Sequence, residues 1–242
     1  MNKLAMIVLF LMFVGCTATK INPVNPVPVF EIPKGSKIGV INFVGQKIRR
    51  YGVMFDGSQS ETVSEATSDI PNFINYEIKR QAAEIGYKVE ILDVNDDIKR
   101  SLSFCTMKDN DQIILRSATI PIFQQLSNDH NLSIIYIIKE AEGKFKIQDL
   151  YVVPRGYGMA VELPKGIFTA FAILKAEAIY LDPVSVTRGA ECLEKKILEG
   201  RVISEKNEPT RKLLPQYEVT ENIKLIINKF ISDLLKNSNL LG

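Results

Sequence analysis

The sequence predicts an α/β fold: a layered domain with a mixed β-sheet, flanking helices and a C-terminal amphipathic helix. Three observations carry this. Lys37–Val44 (KIGVINFV) is a β-branched apolar run bounded by Gly35 and Gly45. A helix-spaced segment, Asn72–Ile85, follows it, and then a second strand pattern, Lys88–Val94. Phe171–Leu181 and Ser185–Leu198 read as two strands joined at Asp182-Pro183, a turn signal. From Glu218 onward, Val219, Ile223, Ile226, Ile227, Phe230, Ile231, Leu234 and Leu235 recur at spacings of three and four. They form one stripe on a helix of about twenty residues, some 30 Å long.

The elements follow in order. Gln46–Thr67 carries Gly52, Gly57 and many Ser and Thr, and reads as a long loop or a loose hairpin. Asn72–Ile85 places Phe73, Ile74, Ile78, Ala82 and Ile85 on one face, with Ser68 or Asp69 to cap its start and Gly86 just past its end. A second helix is expected over about 111–126, kinked or broken at Pro121. Leu132–Ile138 is another apolar strand, and a turn at Glu142-Gly143 leads into Lys144–Val153. The terminal helix carries Lys224, Lys229, Asp233 and Lys236 off its stripe. That polar face is not rich enough in bases for a membrane-lying helix, so the helix is expected to close the core.

The first residues belong to another regime. Lys3 precedes an unbroken apolar run, Leu4–Val14, that ends at Gly15-Cys16. It is about eleven residues long where spanning hydrocarbon needs about twenty, so it has the length of a secretory leader and not of a membrane span. Phe13-Val14-Gly15-Cys16 resembles the lipobox of bacterial lipoproteins, with Phe13 where leucine is usual. That resemblance covers the first sixteen residues. It implies that Cys16 receives diacylglycerol, that 1–15 is cleaved as a signal peptide, and that the new amine is acylated, as with palmitate. A membrane is then the first partner, reached through a lipid anchor. One acyl chain holds only marginally, whereas two or three hold firmly. Thr17, in place of the aspartate that favours the inner membrane in that family, implies the outer membrane facing the periplasm. Ordinary signal cleavage after Ala18 is the competing reading, and it would discard Cys16.

Residues 16–34 form a tether in which Pro23, Pro26, Pro28 and Pro33 block helix. Extended at about 3.1 Å per residue, it reaches up to roughly 50 Å from the lipid. Val27, Val29, Phe30 and Ile32 are apolar enough for its second half to dock. Residues 35–242 then make a single domain. At 46% hydrophobic and 24% charged residues, the chain has the composition of a folded globular protein. A formal net charge of +2 with scattered Lys and Arg gives no electrostatic footprint for nucleic acid.

Catalytic signatures are sparse. His130 is the one histidine and reads as a solvated residue of a helix-to-strand loop; metal sites built on histidine need a cluster, so neither a metal nor a cofactor is expected. There is no G-x-S-x-G, no phosphate-binding glycine loop and no C-x-x-C. Gly156-x-Gly158, after Pro154-Arg155, fits a turn at a strand end. The acidic pairs Asp96-Asp97 and Asp109/Asp111 fall in connecting segments, with Asp111 suited to the first turn of the second helix. Cys105 and Cys192 are left as either a disulfide, closing a loop worth about 4–5 kcal/mol in the chain-entropy model, or two buried thiols.

Arg49, Arg50, Tyr51 and Phe55 combine charge with apolar surface in the long segment and are expected to contact a partner protein. The order of elements resembles the small α/β domain of envelope lipoproteins related to the TolB N-terminal domain and the curli-export lipoprotein. It rests on Lys37–Val44 as first strand, Asn72–Ile85 with Lys88–Val94 as first crossover, and Ala176–Asp182 with its returning strand. Gln46–Thr67 and Gly156–Gly158 fall outside a minimal version of that domain. The resemblance implies a non-enzymatic scaffold in an export or surface-assembly system, binding an envelope protein or self-associating. The alternative is a periplasmic hydrolase or small-ligand binder with an acidic pocket.

Overall fold

A computed structural model describes residues 32–54, 56, 58–109, 112–147, 150–162, 167–198, 216–238 and 240. Residues 1–31, on which the expected leader, Cys16 and most of the expected tether fall, lie outside these, as do Phe55 and Asp111. Strands β1 (Lys37–Asn42), β4 (Lys88–Ile91) and β7 (Ile134–Glu140) are parallel, with β1 in the middle. Between β1 and β4 the chain makes a hairpin, β2 (Lys47–Val53) and β3 (Gln59–Thr67), and then helix α1 (Ile70–Glu84). The Ser68 amide donates to the Gln46 carbonyl at 2.7 Å and closes the base of that hairpin. The expected long segment is thus an insertion in a β-α-β unit.

From β4 the chain passes through α2 (Asp96–Ser103), the small hairpin β5 (Thr106–Asp109) and β6 (Gln112–Leu115), and α3 (Ile120–His130) into β7. It continues through a second small hairpin, β8 (Phe145–Ile147) and β9 (Leu150–Val152), into β10 (Gly156–Glu162). Then come the long strands β11 (Ile167–Leu181) and β12 (Val184–Leu198), joined at Asp182-Pro183 as expected, and α4 (Gln216–Asn237).

The main sheet has eight strands among the described residues, in the order β3-β2-β10-β11-β7-β1-β4, with β12 on β11. β11 serves two partners along one edge: Ile167–Ile173 pairs with β10, and Leu174–Tyr180 pairs with β7. β12 runs along its other edge. The sheet is therefore mixed and forked, and the fold class is the one the sequence predicts.

Side-chain alternation divides the core. Ile134, Tyr136 and Ile138 of β7 join Ile38, Val40 and the alternate alanines of β11 beneath α1 and α4. Ile135 and Ile137 face the other way, with Ile41 and Ile179, beneath α2 and α3. Burial on both faces is why β7 reads as one apolar run. In α4, Ile223, Ile227, Ile231 and Leu234 are fully buried, each worth about 1.5–3 kcal/mol. The helix closes the core as its stripe predicts. Ile32, from the segment expected to be a tether, is also buried there, its carbonyl accepting from Tyr87 Oη at 2.9 Å. Among the described residues no helix is long and apolar enough to cross a membrane.

Some expectations are corrected. The second helix begins at Ile120, and Gln112–Leu115 is a strand paired to β5. Pro121 sits in the first turn of that helix, where its missing N–H leaves no bond unmade, so it starts the helix instead of breaking it. Asp96 and Asp97 belong to a helix where the sequence predicts a connecting segment; it is capped by Asn95, whose side chain accepts from the Ile98 amide at 2.9 Å. Asp69 holds the N-cap position of α1 but makes no side-chain cap; its carboxylate pairs with Lys224 at 3.1 Å. Gly86, at φ +92, follows α1 as expected.

Candidate functional site

The fork in the sheet creates the site. Glu140, the last residue of β7, pairs with Leu174, and Gly156, the first of β10, pairs with Ile173. β7 and β10 therefore part at adjacent positions of β11, and the chain between them must satisfy donors that no ladder reaches. Ala141 donates to the Ile173 carbonyl at 3.0 Å, and Gly156 to that of Ala141 at 3.0 Å. Across the gap, Glu140 Oε1 accepts from the Gly45 amide at 3.0 Å and Oε2 from Arg49 Nη2 at 3.3 Å. Arg49 Nη1 donates to Glu61 at 2.7 Å. Tyr157 Oη donates to the Gly45 carbonyl at 2.7 Å and meets Ser68 Oγ at 2.6 Å. One carboxylate thus ties the exit of β1 to the exit of β7.

Gly156 leaves room for it. Its φ is +70, and a Cβ there would stand 2.8 Å from both Cδ and Oε2 of Glu140. A residue with a side chain would be strained and would also push the carboxylate away.

Above this floor lies a cleft of about 560 Å³, lined by Phe43, Gly45, Arg49, Ser103, Phe104, Lys139, Glu140 and Arg155. It sits beyond the carboxyl ends of the adjacent parallel strands β1 and β7, the place where open α/β sheets bind ligands. Its volume suits a small molecule or a chain end. Arg49 holds Glu61 below the usual carboxylate range, chiefly by its hydrogen bond. Lys139 turns towards Glu177, at 3.0 Å, and donates to the Ser103 carbonyl at 3.2 Å.

Glu177 lies nearly buried where the β11–β12 register shifts. Burial alone would raise its pKa. Hydrogen bonds from Thr106 Oγ1 at 2.6 Å and Cys105 Sγ at 3.2 Å, with the Lys139 charge, outweigh burial and lower it.

The residues singled out from sequence separate here. Arg49 is in the cleft, but as a structural ion pair. Arg50 is half-buried in β2. Tyr51 is buried, its ring 5.7 Å from that of Phe171, and its hydroxyl accepts from the Arg155 amide at 3.2 Å. It is therefore a core residue and no contact surface. Phe55 lies outside the described residues.

His130 ends α3, with Nδ1 2.9 Å from Glu90 Oε1. Glu90 also pairs with Lys37 at 2.5 Å, and Lys37 first, then His130, holds it below the usual range. Asp96 and Asp97 stand exposed on α2, and neither lines the cleft. Asp109 ends β5. Gly156–Gly158 opens β10 instead of forming a turn.

Cys105 and Cys192 form no bridge. They are buried in different clusters on opposite faces of the sheet. Burial first, with nearby carboxylates second, pushes each thiol up to about 12. Among the described residues no group of three or more His, Cys, Asp and Glu is placed to hold a metal.

Glu140, Lys139, Phe104 and Arg155 escaped the sequence reading. The one local signal was a Lys-Glu pair directly after the apolar run of β7, where an α/β strand delivers side chains to a site.

No family model matches the chain, and no curated protein matches it. Among solved structures, a hypothetical protein, CT253, from Chlamydia trachomatis aligns over 83% of this chain and 99% of that chain, at 9% identity and a TM-score of 0.32. A likeness that low carries no argument.

Proposed function

We propose that this chain is a lipid-anchored, non-enzymatic cell-envelope protein whose α/β domain binds or scaffolds a partner in an export or surface-assembly system. The anchor in this reading is Cys16, in the outer membrane facing the periplasm, and it rests on Phe13-Val14-Gly15-Cys16. The observation that carries the binding role is polarity. The chain enters the domain at the amino ends of β1 and β4, where Gly35 donates to the Gly86 carbonyl at 2.9 Å and Ile32 is buried. The cleft lies at the opposite end of β1, about 20 Å away at the rise of a strand. A body moored at one pole and open at the other presents its cleft away from the lipid. Mooring also raises its effective concentration towards membrane partners.

The ionisable side chains on the cleft floor are engaged with one another, which supports recognition over turnover. The acidic-pocket alternative draws no support from Asp96 and Asp97, whose side chains are 92% and 85% exposed.

Cys16→Ser tests the anchor. The variant is expected to leave the membrane fraction and to lose labelling by a palmitate analogue; retention in the membrane with unchanged mass would sink the reading. Affinity capture of the detergent-solubilised native lipoprotein, with partners identified by mass spectrometry, tests the binding role. A monomer that captures nothing would defeat it.

A further inference from the structure

We propose that the cleft at the fork of the sheet binds a carboxylate that carries an apolar body, the chemistry of a polypeptide's free carboxyl end with an apolar last side chain. This deepens the partner-binding reading and rests on it. The charges of the cleft decide the head group. Arg49 is answered by Glu61 at 2.7 Å and Glu140 at 3.3 Å, and Lys139 by Glu177 at 3.0 Å. Arg155, exposed and lining the cleft, has no ion-pair partner among the described residues, although Glu61 senses it at longer range. One open guanidinium matches one planar carboxylate, two N–H donors to two oxygens. A dianion such as a phosphate monoester would meet Glu140 and Glu61 with a single cation to answer it.

The apolar part has its own seat. Phe104, at the end of α2, is 71% exposed and lines the cleft beside Ser103. Phe43, at the exit of β1, also lines the cleft and is half-buried against the α2–α3 cluster. An exposed phenylalanine at the lip of a charged cleft is the kind of side chain that binding covers. The floor is already fixed by the Glu140 bonds, so an incoming group meets a preformed site.

The test is isothermal titration of the detergent-solubilised lipoprotein, with micelles alone as the blank. The probes are N-acetyl-Ala-Phe with a free carboxylate, its C-terminal amide, and 3-phenylpropionate. The carboxylate peptide is expected to bind about tenfold or more tighter than its amide. Binding should weaken with salt.

Arg155→Gln and Phe104→Ala are each expected to lower affinity about tenfold while leaving the urea midpoint unchanged, since both side chains are exposed. Peptide binding tighter than 3-phenylpropionate assigns the ligand to a chain end. Equal binding assigns it to a small acid of the same chemistry. No heat up to about 10 mM, equal affinity for acid and amide, or indifference to Arg155→Gln overturns the inference. A captured partner that survives Arg155→Gln would overturn it and leave the partner-binding reading standing.

Discussion

Gly156 and Glu140 make the most demanding prediction, because their costs must fail to add. Gly156→Ala places a residue with a Cβ at φ +70, a strain of about 1–2 kcal/mol. Its Cβ would also stand 2.8 Å from the Glu140 carboxylate. The carboxylate must move and so lose its bonds to the Gly45 amide and Arg49. The first is exposed and the second is long and shared with Glu61, so together they are worth about 1–2 kcal/mol. The single variant therefore loses about 2–4 kcal/mol.

Glu140→Ala loses only the bonds, about 1–2 kcal/mol. The double variant loses strain plus bonds once each, and so is no less stable than Gly156→Ala alone. Urea unfolding followed by circular dichroism should show this as an interaction of about 1–2 kcal/mol, a shift of roughly 0.5–1 M at an ordinary slope. Additivity within about 0.5 kcal/mol would refute the view that Glu140 occupies the space Gly156 leaves.

Two further outcomes follow from the burial of the thiols and of Glu177. Cys105 and Cys192 should resist a thiol reagent at about pH 8 until denaturant is added, because burial keeps both protonated. Immediate reaction of either, or a mobility change on reduction, would contradict this. Its hydrogen bonds and the Lys139 charge hold the folded Glu177 carboxyl below the ordinary glutamate range, so the unfolded chain takes up its proton first. Its stabilisation is fully present above about pH 4.5 and is lost as pH falls through the folded value. Glu177→Gln should lower stability by about 2 kcal/mol at neutral pH, by stranding Lys139, and flatten the dependence below about pH 4.5. An unchanged acid dependence would show that Glu177 is no part of it.

What was legible in the sequence was what repeats over several turns or strands. The stripe of α4 announced itself by its period, and the doubly buried strands β1 and β7 by unbroken apolar runs. Gln112–Leu115 did not, since four residues carry no phase, and a proline nearby reads equally as a break or a beginning. In α2 only Ile98 and Leu102 mark an apolar face, although Asn95 with Asp96-Asp97 was a usable start signal. β10 contains two glycines, and its state is set by β11 and β2 from afar. The site is harder still. Glu140 meets Gly45 and Arg49 across more than ninety residues, and nothing local encodes that meeting. Arg49 drew notice through its charge, but its role is to hold two carboxylates, which its neighbours in sequence do not reveal.

The fork explains why a cleft exists at all and how its duties are divided. A strand that pairs with β10 for half its length and β7 for the other half must leave a gap where they part. Backbone donors exposed at a gap have to be satisfied, and Glu140 answers one of them from the floor. That carboxylate needs a counter-charge, which Arg49 supplies, and Arg49 in turn engages Glu61. The polar character of the floor is thus a consequence of topology and would be present without any ligand. Arg155 and Phe104 answer no such need, because removing either leaves no buried group unpaired. Substitutions on the floor should therefore be read in unfolding curves and substitutions on the rim in binding isotherms. A rim variant that unfolds early, or a floor variant that alters only affinity, would break that division.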